Sequence, residues 1–195
     1  MIRPALPPEP SGLPIGRLSP RARQAAAMLD THPIMETLAP WDPVVVGTLP
    51  LGIDVPGSDL DILCEVHDRK AFTDTAAAAF GRFSTFAIVE VPTTPGATVC
   101  RFEVEGLPVE IFAQPVPTRL QAGYRHMIVE ARLLRQGGHS LRRRIRRLKE
   151  EGWKTEPAFA RVLGLPGDPY DALLDLEALG DAALRTLIAT RPERP

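Results

Sequence analysis

The chain has 195 residues, 44% of them hydrophobic and 24% charged, with a formal net charge of −1. That composition excludes wholesale disorder, and a chain of this length can bury roughly 70% of its unfolded surface without disulfides or structural zinc. Only Cys64 and Cys100 are present, outside any CxxC pair, which excludes a cysteine zinc site and makes a reducing cytoplasm the expected setting. No apolar run approaches the ~20 residues of a membrane span, and the opening MIRPALPPEPSGLPIG is too proline-rich for a secretory signal.

Residues 1–19 read as a flexible, proline-rich leader. Ser19-Pro20 then predicts a helix start, and the alanine-rich stretch after it a helix that Pro33 interrupts. A second short helix runs to Leu38, and Trp41-Asp42-Pro43 is a turn. Val44–Val46 is a short β-branched strand, 48–58 a long loop, and Leu60–Val66 a central strand. Asp68 caps a helix through Ala79 that Gly81 closes. Three further strands follow at Thr85–Val91, Thr98–Glu105 and Leu107–Ala113, the last two joined by a tight turn at Gly106. After Pro117 the pattern predicts helices at 118–136, 140–151, 156–163, 169–178 and 181–190. The expected class is α+β: a mixed sheet backed by helices over 20–117, followed by a small helical portion over 118–195.

Charge divides along the same line. Between 49 and 118 ten acids face four bases; between 119 and 154 eleven bases face three acids. An acidic sheet joined to a basic helical portion suits the binding of metal with polyphosphate.

The chemistry concentrates in Val44-Val45-Val46-Gly47-Thr48, ten residues of loop, and Asp59-Leu60-Asp61-Ile62-Leu63. In a strand Asp59 and Asp61 project together, about 6–7 Å apart along the backbone, with Leu60 and Ile62 toward the core. Neighbouring carboxylates raise each other's pKa unless a cation lies between them, and hard oxygen donors suit Mg²⁺. Glu110, inside the apolar Val109-Glu110-Ile111-Phe112, is the third candidate acid. Gly47 permits close backbone approach to a ligand, and the Thr48 hydroxyl with loop amides can hold a phosphate. Plainer readings exist for each piece: an ordinary turn, a solvated strand edge, an acid paired with an arginine.

The order apolar strand, Gly-Thr, spacer, Asp-x-Asp, later acid resembles the polymerase-β-type nucleotidyltransferase superfamily over about residues 40–115. More closely, GTLPLGIDVPGSDLDILCEV (47–66), VEIFAQP (109–115), QAGYRHMIVE (121–130) and KTEPAFARVLGLPGDPY (154–170) resemble a bacterial family designated domain of unknown function 4269. The resemblance implies a nucleotidyltransferase-like fold and transfer of a nucleoside monophosphate from a nucleoside triphosphate to a hydroxyl acceptor. It implies Asp59, Asp61 and Glu110 as catalytic residues and ligands of two Mg²⁺ ions, with Gly47, Thr48 and Ser58 binding the nucleotide. The family's serine is Thr48 here, and Leu49–Gly57 contains no lysine or arginine. Phosphate-neutralising charge is therefore expected from Arg125, His126 or Arg132 on the following helix, facing Asp59 and Asp61 across the site. The same arginines could instead solvate an exposed face.

The run from Arg142 to Lys149 is first a solvated amphipathic helix, and second a candidate RNA-binding surface. The alternative function is accordingly a nucleotide- or RNA-binding module of the same fold without turnover. Base preference, acceptor identity and oligomeric state are not legible in the chain.

Overall fold

A computed structural model describes residues 19–190. The proposed leader lies outside the described residues except for Ser19, which caps the first helix, α1 (Pro20–Thr31), by accepting from the Ala22 amide at 3.0 Å. Ala22, Ala25 and Met28 form its buried stripe. A short helix, α2 (Ile34–Leu38), and a 3₁₀ turn (Ala39–Trp41) lead into β1 (Val44–Val46). The loop expected over 48–58 begins with one helical turn, α3 (Thr48–Leu51), which Gly52 ends in the left-handed conformation.

Next come β2 (Leu60–Glu65), α4 (Arg69–Phe80), β3 (Ser84–Glu90), β4 (Thr98–Val104) and β5 (Leu107–Gln114). Asp68 caps α4 by accepting from Ala71. Glu105 and Gly106, both at positive φ, turn β4 into β5. The sheet order is β1-β2-β5-β4-β3, with β2 and β5 parallel and the other pairs antiparallel.

Helices cover one face of the sheet and the β1–β2 part of the other. On one face Leu60, Ile62, Val109 and Ile111 pack with Phe72, Phe80 and the α1 stripe. On the other, Val46 and Leu63 pack with the C-terminal helices. The alternation of β5 sends Leu107, Val109, Ile111 and Ala113 inward and leaves Glu110, Phe112 and Gln114 half-buried on the second face.

The C-terminal helices are α5 (Ala122–Glu150), α6 (Thr155–Leu163), α7 (Pro169–Leu174) and α8 (Asp181–Ala189). Two boundaries differ from expectation. Residues 118–120 form a separate 3₁₀ turn, because Gln121 is extended (ψ 144°) and restarts the helix at Ala122. The break expected between 136 and 140 is present at Gly138 (φ 56°, ψ −146°), where α5 changes direction. The helix expected over 169–178 ends at Leu174 and continues as a 3₁₀ turn, Asp175–Ala178. Among the described residues no helix is long and apolar enough to cross a membrane.

Candidate active site

Strand register assembles the acids. Val46, the last residue of β1, lies opposite Asp61, and Asp61 lies opposite Glu110 on the parallel partner β5. Directly opposed residues share a face, so Asp61 and Glu110 project together. Asp59, just before the strand and two residues earlier, lines the same cavity. Gly47 follows β1 at φ +79°, and a Cβ there would stand 2.1 Å from Asp61 Oδ2. Only glycine combines that backbone with so close a carboxylate.

These groups line a cavity of about 800 Å³ whose opposite wall comes from α5, α6 and α7. Along α5, His126 and Glu130 are one turn apart and share a face. Beyond the break at Gly138, Arg142 donates to the carbonyls of Leu51 and Gly52, fastening the helix to the end of α3. Two turns later Lys149 reaches the same cavity, and Lys154 and Glu156 follow at the start of α6.

The charges in this cavity are strongly coupled. The Asp61 carboxyl is pushed up to about 8, first by burial, then by Asp59 and Glu110, with Lys149 opposing. Glu130, 3% exposed, is also pushed up to about 8, first by burial and then by Glu156. Burial lowers the Lys149 ammonium while Glu130, Glu156, Asp59 and Asp61 support it; it donates to Thr155 Oγ1 at 2.9 Å. His126 Nε2 lies 3.0 Å from the Tyr170 carbonyl, which can only accept, so Nε2 carries the proton. Its Nδ1 stands 3.6 Å from Glu156 Oε1.

Gly47, Thr48, Ser58, Asp59, Asp61, Glu110 and His126 thus line one cavity. The Ser58 hydroxyl accepts from the Val55 amide at 3.0 Å and its carbonyl accepts from Arg21, contacts that close the loop before Asp59. Glu110 holds Arg101 across the β4–β5 pair, Nε to Oε2 2.7 Å.

Arg125 and Arg132 do not face the acids, contrary to the sequence expectation. Arg125 donates to Glu177, and Arg132 to the Glu177 carbonyl and Asp181. They point around α5 toward the 3₁₀ turn and α8, where carboxylates and free helix-end carbonyls offer better partners than a cavity wall. The run from Arg142 to Lys149 is likewise not one uncommitted face. Arg142 holds α3, Arg144 donates to the Val162 carbonyl at 3.1 Å, Arg147 pairs with Glu151, and Lys149 enters the cavity.

Glu130, Lys149, Lys154 and Glu156 are the cavity groups that sequence reasoning did not assign. Glu130 carried a signal, as an acid within Ile128-Val129-Glu130-Ala131 one turn from His126. Lys149 had none, being one base in a run of bases.

Among the described residues, no three His, Cys, Asp or Glu side chains form a ready-made metal cluster. The donor chemistry nonetheless fits a hard divalent cation. Asp59 and Asp61 supply oxygen, and burial with their mutual repulsion, which Lys149 only partly opposes, pushes Asp61 up. Glu110 is the third donor, with Arg101 as competitor.

Residues 27–176 match the family model described as "Domain of unknown function (DUF4269)". No curated protein matches the sequence significantly. Among solved structures, the chain is similar to the GLD-2/RNP-8 complex at 14% identity and TM-score 0.52, covering 73% of this chain and 56% of that one. It is similar to Cid1 poly(U) polymerase bound to MgATP at 13% and 0.51, covering 80% and 50%. A cytoplasmic RNA terminal U-transferase is similar at 14% and 0.51, covering 77% and 44%. At these identities the likeness establishes the nucleotidyltransferase fold, and the chain spans about half the length of these structures.

Proposed function

The chain belongs to the DUF4269 family, and from that premise and its fold we propose that it is a metal-dependent nucleotidyltransferase, moving a nucleoside monophosphate from a nucleoside triphosphate to a hydroxyl acceptor. The observation that carries this reading is the register: Asp61 opposite Glu110, Asp59 two residues away, and Gly47 closed against Asp61, all on one cavity. Structural carboxylates are normally dispersed or paired with bases; here two converge, and Lys149 opposes their charge without forming an ion pair with either.

Asp59 and Asp61 would hold Mg²⁺, with Glu110 as third ligand or proton acceptor. A divalent cation there supplies charge neutralisation on the triphosphate and a lower pKa for the attacking hydroxyl. Gly47 and Thr48 lie where the chain can approach terminal phosphates, and Lys149 and Lys154 supply the positive charge missing from the Leu49–Gly57 loop. The acceptor oxygen bonds to the α-phosphorus, the bond to the bridging oxygen breaks, and pyrophosphate leaves. The hydroxyl proton passes to a site carboxylate, Glu110 in this assignment, which Arg101 orients.

Thermal shift with ATP, GTP, CTP and UTP, each with and without Mg²⁺, tests the reading. A metal-dependent shift lost in Asp61→Asn is expected. Transfer at wild-type rates by both Asp59→Ala and Asp61→Ala would end it. The second reading, a nucleotide-binding module without turnover, is favoured by the engagement of Glu110 with Arg101. It predicts nucleotide shifts independent of metal.

A further inference from the structure

Resting on the proposed transfer reaction, we propose that the hydroxyl acceptor is a small molecule bearing a protonated amine, held by Glu130 and Glu156, and not a polyanion such as RNA. Five carboxylates line the cavity, Asp59, Asp61, Glu110, Glu130 and Glu156, against the two lysines Lys149 and Lys154. The sheet acids are matched by a divalent cation, and the lysines by phosphate. Glu130 and Glu156, on the opposite wall, are then left with Lys149 alone, an ammonium they share with Asp59, Asp61 and the phosphate.

The atoms on that wall specify what is missing. Glu130 is 3% exposed, and its Oε1 is buried with no hydrogen-bond donor. Lys149 bonds Thr155 Oγ1 and makes no hydrogen bond to that oxygen. His126 does not satisfy Glu156 either: its Nδ1 stands 3.6 Å from Glu156 Oε1, beyond hydrogen-bond distance. Gln121, 2% exposed at the start of α5, has its orientation fixed by Nε2, which donates to the carbonyls of Cys64 and Val116 at 2.9 Å. Its Oε1 is therefore a second buried acceptor without a donor.

Gln121 Oε1 accepts hydrogen bonds, and so does the Glu130 carboxylate once a bound cation displaces the proton that its carboxyl otherwise holds to about pH 8. A ligand that completes this wall must donate, and an ammonium group with hydroxyls does so while offsetting the carboxylates. A nucleic-acid backbone would bring phosphates against them, opposite to the basic tracks that bind such backbones. The volume of about 800 Å³ is that of a small-molecule site.

Isothermal titration calorimetry on the full chain, without nucleotide or metal, tests this. Glucosamine and spermidine are the cationic probes, glucose and N-acetylglucosamine the neutral counterparts, and hexaadenylate the polyanion. At least one cation is expected to bind in the millimolar range or tighter, with glucose and N-acetylglucosamine weaker. Glu130→Gln and Glu156→Gln are each expected to weaken it about tenfold or more. Both substitutions are isosteric, and circular dichroism checks their folding; if one fails to fold, the other decides. Absence of cation binding overturns the proposal. So does cation binding unchanged in the variants, which would place the cation on Asp59 and Asp61. Neutral sugars binding equally well, or hexaadenylate binding that the cations do not displace, also overturns it. The readout involves no nucleotide, so failure of the transferase reading appears separately, as loss of the metal-dependent nucleotide shift.

Discussion

Asp61 Oδ2 occupies the space that a side chain on residue 47 would need, 2.1 Å from where its Cβ would stand. The turn after β1 and the acid on β2 are therefore one unit, and Gly47 also holds φ +79°. Gly47→Ala is expected to cost about 1–3 kcal/mol through backbone strain and displacement of the carboxylate. Urea unfolding measures the first effect, and the Mg²⁺-dependent nucleotide shift measures the second. If the variant unfolds earlier yet keeps its full nucleotide shift, the Gly47–Asp61 contact serves folding alone.

Glu130 gives the protein an unusual pH dependence. Its carboxyl titrates near 4.5 unfolded and about 8 folded, so across that window the folded state retains a proton that the unfolded chain has released. Stability therefore falls as pH rises from about 4.5 to 8, and Asp61 adds the same sign between 3.8 and about 8. Of the charged groups around it, Glu156 from α6 reinforces the shift and Lys149 from α5 opposes it. Melting temperatures from pH 5.5 to 8.5 should decline in the wild type and decline less in Glu130→Gln. The variant should be the more stable at pH 8.5 and about equal at pH 5.5. A variant as pH-sensitive as the wild type would place the titration elsewhere.

The sheet side of the site was legible because strand chemistry is local. Alternation puts Asp59 and Asp61 on one face whatever the rest of the chain does, and Gly47 declares its turn. The helical side was not legible in the same way. The faces that α5 presents depend on the break at Gly138 and on which partners lie nearby. Arg125 and Arg132 were expected at the acids because they share a face, and they do share one; it is the face that meets Glu177 and Asp181. Lys149 reaches the cavity through contacts remote in sequence, Arg142 against α3 among them, and no periodicity in the chain encodes those.

That difference predicts a contrast between two cations of one helix. Lys149→Met removes charge from the cavity wall, leaving Glu130 and Glu156 without their nearest positive group, and should weaken nucleotide binding about tenfold or more. Arg125→Ala breaks an exposed pair with Glu177, worth at most about 1 kcal/mol, and should leave nucleotide binding unchanged. Titrating each variant with a nonhydrolysable nucleoside triphosphate and Mg²⁺ separates them. Equal losses in both would return Arg125 to the site.

Gly138 joins the two halves of α5 with φ 56° and ψ −146°, a combination outside the left-handed helical basin and close to exclusive to glycine. Its neighbour Gly137 is held by packing: a Cβ there would stand 2.5 Å from that of Leu141. Upstream of the break lie His126 and Glu130; downstream lie Arg142, on the α3 carbonyls, and Lys149, in the cavity. Gly138→Ala is expected to cost about 1–3 kcal/mol if the break persists under strain. If α5 instead straightens, Arg142 leaves α3 and Lys149 leaves the cavity, and nucleotide affinity falls in parallel with Lys149→Met. Gly180→Ala is the control, at φ −71° with open space around it; as the N-cap of α8, where alanine is poorer than glycine, it should cost no more than about 1 kcal/mol. Chemical unfolding of both variants, with nucleotide titration of the folded fraction, reads out the two effects. A Gly138→Ala protein as stable as the Gly180→Ala control, with nucleotide affinity intact, would show that the break is not what carries Lys149 to the acids.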